Sequence, residues 1–246
     1  MDPAQLLLRR YCSGNSEDGE LQAIVVDALE KKRSGDVSAF TVLVEAIEAS
    51  GDGTEQAKLV QCLSRCTGSL HKKFHSAVIA ATLSNCWRGN AALLSAAEVF
   101  ANNCVSGNAE LLHAVLSTLV KKFTEFPAPS AFPSTSSQNV LQDAAATPSA
   151  TAVSDSSAPN AGMGRDLHRM LGGILATFPT ATSCLLPLLR DGFPHRRRPV
   201  EDQRRYVGHL LRVVSAVPQL FEQVAAVSPL ALLSSPRSSA FLCYAP

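Results

Sequence analysis

No stretch of the 246 residues approaches the roughly 18 consecutive apolar residues of a membrane-crossing helix. Residue-by-residue alternation rich in Val, Ile and Thr, the mark of half-buried strands, is nearly absent. Nor does the chain hold a G-x-S-x-G elbow, a phosphate-cradling G-x-x-x-x-G-K-[ST] loop, a G-x-G-x-x-G turn or an H-E-x-x-H pair. An enzyme reading therefore has nothing to stand on, and nothing calls for a cofactor or a catalytic metal. Lysine is missing beyond Lys122, so the second half carries arginine alone as its permanent cation. The formal net charge is only +1, and the overall balance demands no polyanionic partner.

Cysteine is present but unpatterned. Seven residues, Cys12, Cys62, Cys66, Cys86, Cys104, Cys184 and Cys243, are an odd number spread far apart, which is no disulfide framework. The opening MDPAQLLLRRYC has too short an apolar core for a secretory signal. Together these point to an intracellular protein in a reducing compartment. Cys62, Cys66, His71 and His75 spell C-x3-C-x4-H-x3-H, but a zinc finger needs about a dozen residues between its two ligand pairs. Cys62 and Cys66 also fall on an apolar helical stripe, so buried structural cysteine is the better reading.

What the chain has in quantity is helical periodicity. Leu111, Leu112, Val115, Leu116, Leu119, Val120 and Phe123 recur at offsets of three and four, which stacks them on one helix face. Leu167, Met170, Leu171, Ile174, Leu175 and Phe178 do the same. Weaker stripes run from Leu21 to Leu29, Val37 to Ile47, Leu59 to Cys66, Leu70 to Leu83 and Leu93 to Val105. Breakers such as Ser34-Gly35-Asp36 and Ser106-Gly107-Asn108 separate them. The fold class is all-α. Short links between successive helices favour an irregular HEAT- or armadillo-like α-solenoid, with a compact helical bundle as the rival.

The expected organisation is helical repeats over 1–126, an insertion over 127–164, the same array resumed over 165–228, and a frayed tail over 229–246. The insertion is dominated by Ser, Thr, Ala and Pro, with Asp143 and Asp155 its only charges. It has too few bulky apolar residues to offset the entropy of ordering, so disorder is expected there. Its hydroxyls would be accessible to kinases.

From Arg165 to Arg212, nine arginines face four acids. Three of them, Arg196, Arg197 and Arg198, sit between Pro194 and Pro199 ahead of an amphipathic helix. Pro199 suits the first turn of that helix, and Glu201 and Asp202 suit its positive end. A helical wheel gathers Val200, Val207, Leu210, Leu211 and Val214 on one side. Arg204, Arg205, Arg212 and His209 fall on the other, where a solvated face is the plainer reading. Aromatics able to stack on bases are scarce there, only Phe193 and Tyr206, which argues against direct reading of DNA or RNA. Asp166 and His168 flank Leu167 and face different ways, so they do not form a joint site.

Four motifs in Leu167 to Leu220 carry a resemblance. They are the turn Phe178-Pro179-Thr180, the proline-bearing apolar run Leu185-Leu186-Pro187-Leu188-Leu189, the basic corner Phe193-Pro194-His195-Arg196-Arg197-Arg198, and Tyr206-Val207-Gly208-His209-Leu210-Leu211-Arg212. In order and kind they resemble the central block of the RNA polymerase I-specific transcription initiation factor family, the TIF-IA type. Trp87, at a helix end, stands in a comparable place, and the family carries a serine-bearing loop where the insertion lies. The family's loop is usually rich in acids, whereas this one has two.

The resemblance implies a HEAT-repeat fold and a nuclear, nucleolar role. It implies binding to RNA polymerase I subunits and bridging to promoter-bound initiation factors at ribosomal RNA genes. Family members are longer, so a truncation point near the tail is expected. The residues expected to contribute to a partner contact or to nuclear import are Phe193, Pro194, His195, Arg196, Arg197 and Arg198, with Arg204, Arg205 and Arg212 beside them. Alternatives are an unrelated helical-repeat adaptor of the transport-receptor type, or a non-specific nucleic-acid binder.

Overall fold

Breakers and caps cut the chain where the periodicity stops. Gly35 takes φ 103°, a left-handed conformation that side chains resist, and closes the first helix with Asp36 N–H on the Lys31 carbonyl at 3.0 Å. Asn90 and Asn108 cap the helices that follow them: Asn90 accepts from the backbone of Ala92 and Leu93, and Asn108 from that of Glu110.

The computed structural model describes residues 18–49, 53–87, 90–127, 160–195 and 197–220. In chain order its helices are α1 (Asp18–Ser34), α2 (Ser38–Glu48), α3 (Gly53–Arg65), α4 (Lys72–Asn85), α5 (Ala91–Gly107), α6 (Ala109–Lys121), α7 (Asn160–Thr177), α8 (Ala181–Asp191) and α9 (Val200–Ala216). Single 3-10 turns lie at Thr67–Ser69 and Pro218–Leu220. No strand occurs among the described residues.

The helices pack two apart. α1 lies on α3, α3 on α5, α5 on α7 and α7 on α9, forming one row. A second row runs α2, α4, α6, α8. The rows join through hairpins, chiefly α1 with α2 and α5 with α6. A closed bundle has no such translation of one pair onto the next, so the architecture is the helical-repeat array.

The core lies between the rows. Leu29, Leu43, Leu63, Ile79, Phe100, Leu111 and Phe123 are all fully buried there. Each such side chain contributes about 1.5–3 kcal/mol by leaving water. Polar groups in that core find partners. Gln56 donates to the carbonyls of Ile47 and Ala49, tying the end of α2 to α3. His75 holds the Leu29 carbonyl at 3.1 Å and accepts from His71 N–H at 2.9 Å, so both ring nitrogens serve backbone groups. Cys62 and Cys66 are buried. Trp87 follows the end of α4, donates to the Leu83 carbonyl at 2.6 Å and meets Phe126 edge-on at 5.3 Å.

Two boundaries differ from expectation. Asn160 to Gly164, assigned by composition to the insertion, begin α7, and Met163 packs on the core. One apolar side chain with helix on its C-terminal side is enough to draw that turn into the array. Pro199 stands one residue before α9, at its N-cap. The rest of the insertion, 128–159, and the tail expected over 229–246 lie outside the described residues.

Candidate partner-binding surface

The basic corner begins where α8 ends. Gly192 N–H bonds the Leu188 carbonyl at 2.8 Å, and a Cβ there would sit 2.9 Å from the Tyr206 hydroxyl and 3.0 Å from Val120. Only glycine lets the chain turn this close to α9. The Tyr206 hydroxyl donates to the Leu189 carbonyl at 2.7 Å, and its ring takes Phe193 edge-on at 5.4 Å. Burial pushes the Tyr206 hydroxyl's pKa upward, with Asp191 adding to the effect.

The predicted residues therefore divide by position. Phe193 is half-buried and Pro194 buried, so these two anchor the corner. His195, Arg197 and Arg198 are exposed beyond that anchor. Their backbone is pinned locally, with Arg198 N–H on the His195 carbonyl at 2.7 Å and the Gln203 side chain on the Arg198 carbonyl at 3.1 Å. Arg196 lies outside the described residues. Arg204 is exposed one turn into α9, and Arg205 is drawn to Glu201 at 3.5 Å. Arg212 is exposed about 12 Å further along the helix than Arg204, by the rise per residue. There it lines a cleft against α7. The structure thus brings Arg197 and Arg198 together at the start of α9 and sets Arg212 apart.

The wheel placed α9 wrongly. Its buried residues are Tyr206, His209, Leu210 and Val213, whereas Val200 is 63% and Leu211 56% exposed. His209, expected on the solvated face, is fully buried. The physical reason is that polar tips can be satisfied from a distance. His209 Nε2 donates to the Phe126 carbonyl at 3.0 Å, and its ring stacks on Phe123 at 4.7 Å.

That bond fixes a tautomer. With Nε2 carrying the proton, His209 Nδ1 is bare and accepts from His168 Nε2–H at 2.9 Å. Burial first, then the proximity of His209 and Arg212, pulls the His168 pKa down to about 3. Burial likewise lowers His209. A pair of neutral imidazoles thus joins α7, α9 and the turn that follows α6. Sequence reasoning missed it; the one signal was that both histidines border apolar stripes. Asp166, by contrast, turns to Arg169 at 3.3 Å.

The family model for the RNA polymerase I specific transcription initiation factor RRN3 matches residues 15–227. The chain belongs to the RRN3 family. Its family is thus one of transcription initiation factors rather than of enzymes, specific to RNA polymerase I. The fold of this RRN3-family chain is similar to a solved structure described as the crystal structure of RNA polymerase I transcription initiation factor Rrn3. The TM-score is 0.57 at 14% sequence identity, over 89% of this chain. The match spans 40% of the other chain, so this RRN3-family chain corresponds to less than half of that protein. No curated protein sequence matches it significantly.

Proposed function

We propose that the chain acts in the nucleolus as a non-catalytic scaffold that binds RNA polymerase I and links it to promoter-bound factors at ribosomal RNA genes. The family match over 15–227 carries this reading, and it sets aside an unrelated transport-receptor-type adaptor. The mechanism is geometric. A two-row array holds its faces in fixed relation, and separated surfaces engage separate partners.

The exposed basic group Arg197, Arg198 and Arg204 is the proposed partner contact, with Arg196 contributing from the same corner and Phe193 and Pro194 holding that corner in place. Its charge suits an acidic protein surface. Changing Arg196, Arg197 and Arg198 together to glutamate should weaken co-purification of polymerase I subunits while leaving the melting temperature unchanged. Undiminished recovery with unaltered nuclear location would remove the corner from the contact. A direct nucleic-acid binder would instead show steep, salt-dependent binding of the isolated chain to ribosomal promoter DNA.

A further inference from the structure

A cleft of about 530 Å³ opens between α7 and α9, on a different part of α9 from the basic corner. Its walls include Arg165, His168, Gly172 and Leu175 from α7, and Arg212 and Ala216 from α9. Three arginines border it, but they are not equivalent. Arg169 is occupied by Glu98 at 2.7 Å and Asp166 at 3.3 Å. Arg165 and Arg212 are exposed and meet no carboxylate in an ion pair among the described residues. The rest of the lining is Asp166, whose carboxylate is held by Arg169, together with His168, Gly172 and the apolar Leu171, Leu175, Val213 and Ala216.

Gly172 is the informative residue. Glycine inside a helix loses more chain entropy on folding than other residues, and its missing Cβ leaves the backbone bare. An added Cβ at Gly172 would meet nothing within 4 Å. The space beside Gly172 is open, it faces the cleft, and it lets another backbone approach α7 closely.

We propose that the α7–α9 cleft is a docking site for an acidic peptide segment of a partner protein. Carboxylates of the segment pair with Arg165 and Arg212, and one or two apolar side chains lie over Leu175 and Ala216. The peptide backbone passes Gly172. Guanidinium groups favour this pairing because their planar fork matches a carboxylate with two parallel bonds. The site goes beyond the polymerase reading and is tested without polymerase, so the two stand or fall separately.

The probe is a fluorescein-labelled decapeptide with two central leucines flanked on both sides by glutamates, titrated into the full chain and followed by anisotropy. Saturable binding is expected. It should weaken at least tenfold when every glutamate becomes glutamine, in the Arg165→Glu/Arg212→Glu variant, and in Gly172→Leu, each variant melting as the parent does. Equal binding of the glutamine peptide, or unaltered binding by Gly172→Leu, would overturn the proposal. Tighter binding of single-stranded DNA, lost in the same variants, would replace the peptide with nucleic acid. Gly173→p-benzoylphenylalanine distinguishes a partner from the chain itself. Photocapture of the peptide supports the site, and capture of residues 221–246 in the free chain overturns it in favour of self-coverage.

Discussion

His168 donates to His209 across 2.9 Å, and His209 passes the requirement on to the Phe126 carbonyl at 3.0 Å. α7, α9 and the turn that follows α6 are thereby locked by two neutral rings, and the lock holds only while both stay neutral.

Stability should therefore fall with acid in a defined window. In the folded chain His168 is held down to about 3 and His209 is also lowered, whereas both titrate near 6.5 once unfolded. Below about 6.5 the unfolded chain binds more protons than the folded one, so stability is full above that value and is lost as pH falls toward 3. Melting temperature should drop between about pH 7 and about pH 5. His168→Gln should flatten that slope. His75, lowered by its own burial, keeps some slope in the variant.

The α8–α9 corner should be intolerant of a single methyl group. Gly192→Ala forces a Cβ against the Tyr206 hydroxyl, the Leu188 carbonyl and Val120, and a cost of about 1–3 kcal/mol is expected from overpacking. Tyr206→Phe removes the bond to the Leu189 carbonyl and should cost about 1 kcal/mol. Urea midpoints at unchanged slope would check both.

Phe193→Ala should behave unlike the arginine changes. Phe193 packs on Tyr206, so its loss should lower stability by about 2 kcal/mol, less than a fully buried ring. Arg197→Glu and Arg198→Glu, at exposed positions, should leave the unfolding midpoint within about 0.5 kcal/mol of the parent. Chemical denaturation separates an anchor from a contact residue.

Gly53 and Asn90 should be coupled. A Cβ on Gly53 would strike the Asn90 side chain, whose oxygen caps α5 through Ala92 N–H at 2.9 Å and Leu93 N–H at 3.1 Å. Asn90→Ala should cost about 1 kcal/mol. Gly53→Ala should cost a similar amount by displacing the same cap, and the double variant should fall short of the sum by about 0.5 kcal/mol or more.

The apolar stripes made the array legible. Leu111 to Phe123 faces the core as its spacing required, because Leu, Val and Phe are buried for the same reason wherever the chain goes. The face of α9 was not legible, because the partners that make Tyr206 and His209 buriable lie 17 and 83 residues away in sequence. No local pattern announces a carbonyl at that distance. The arginine group was read as one patch for a related reason. Nearness in sequence put Arg212 with Arg204, while the packing of α7 on α9 set Arg212 beside a cleft instead.

The joining of α7 directly to α5 and α6 has an evolutionary consequence. α6 and α7 keep their places in the rows although residues 122–159 separate them in sequence. Lengthening a flexible connection between two docked helices is cheap, with each doubling costing only about 0.6 kcal/mol of closure entropy. The sequence between the two helices can therefore change in length while the packed rows keep their arrangement.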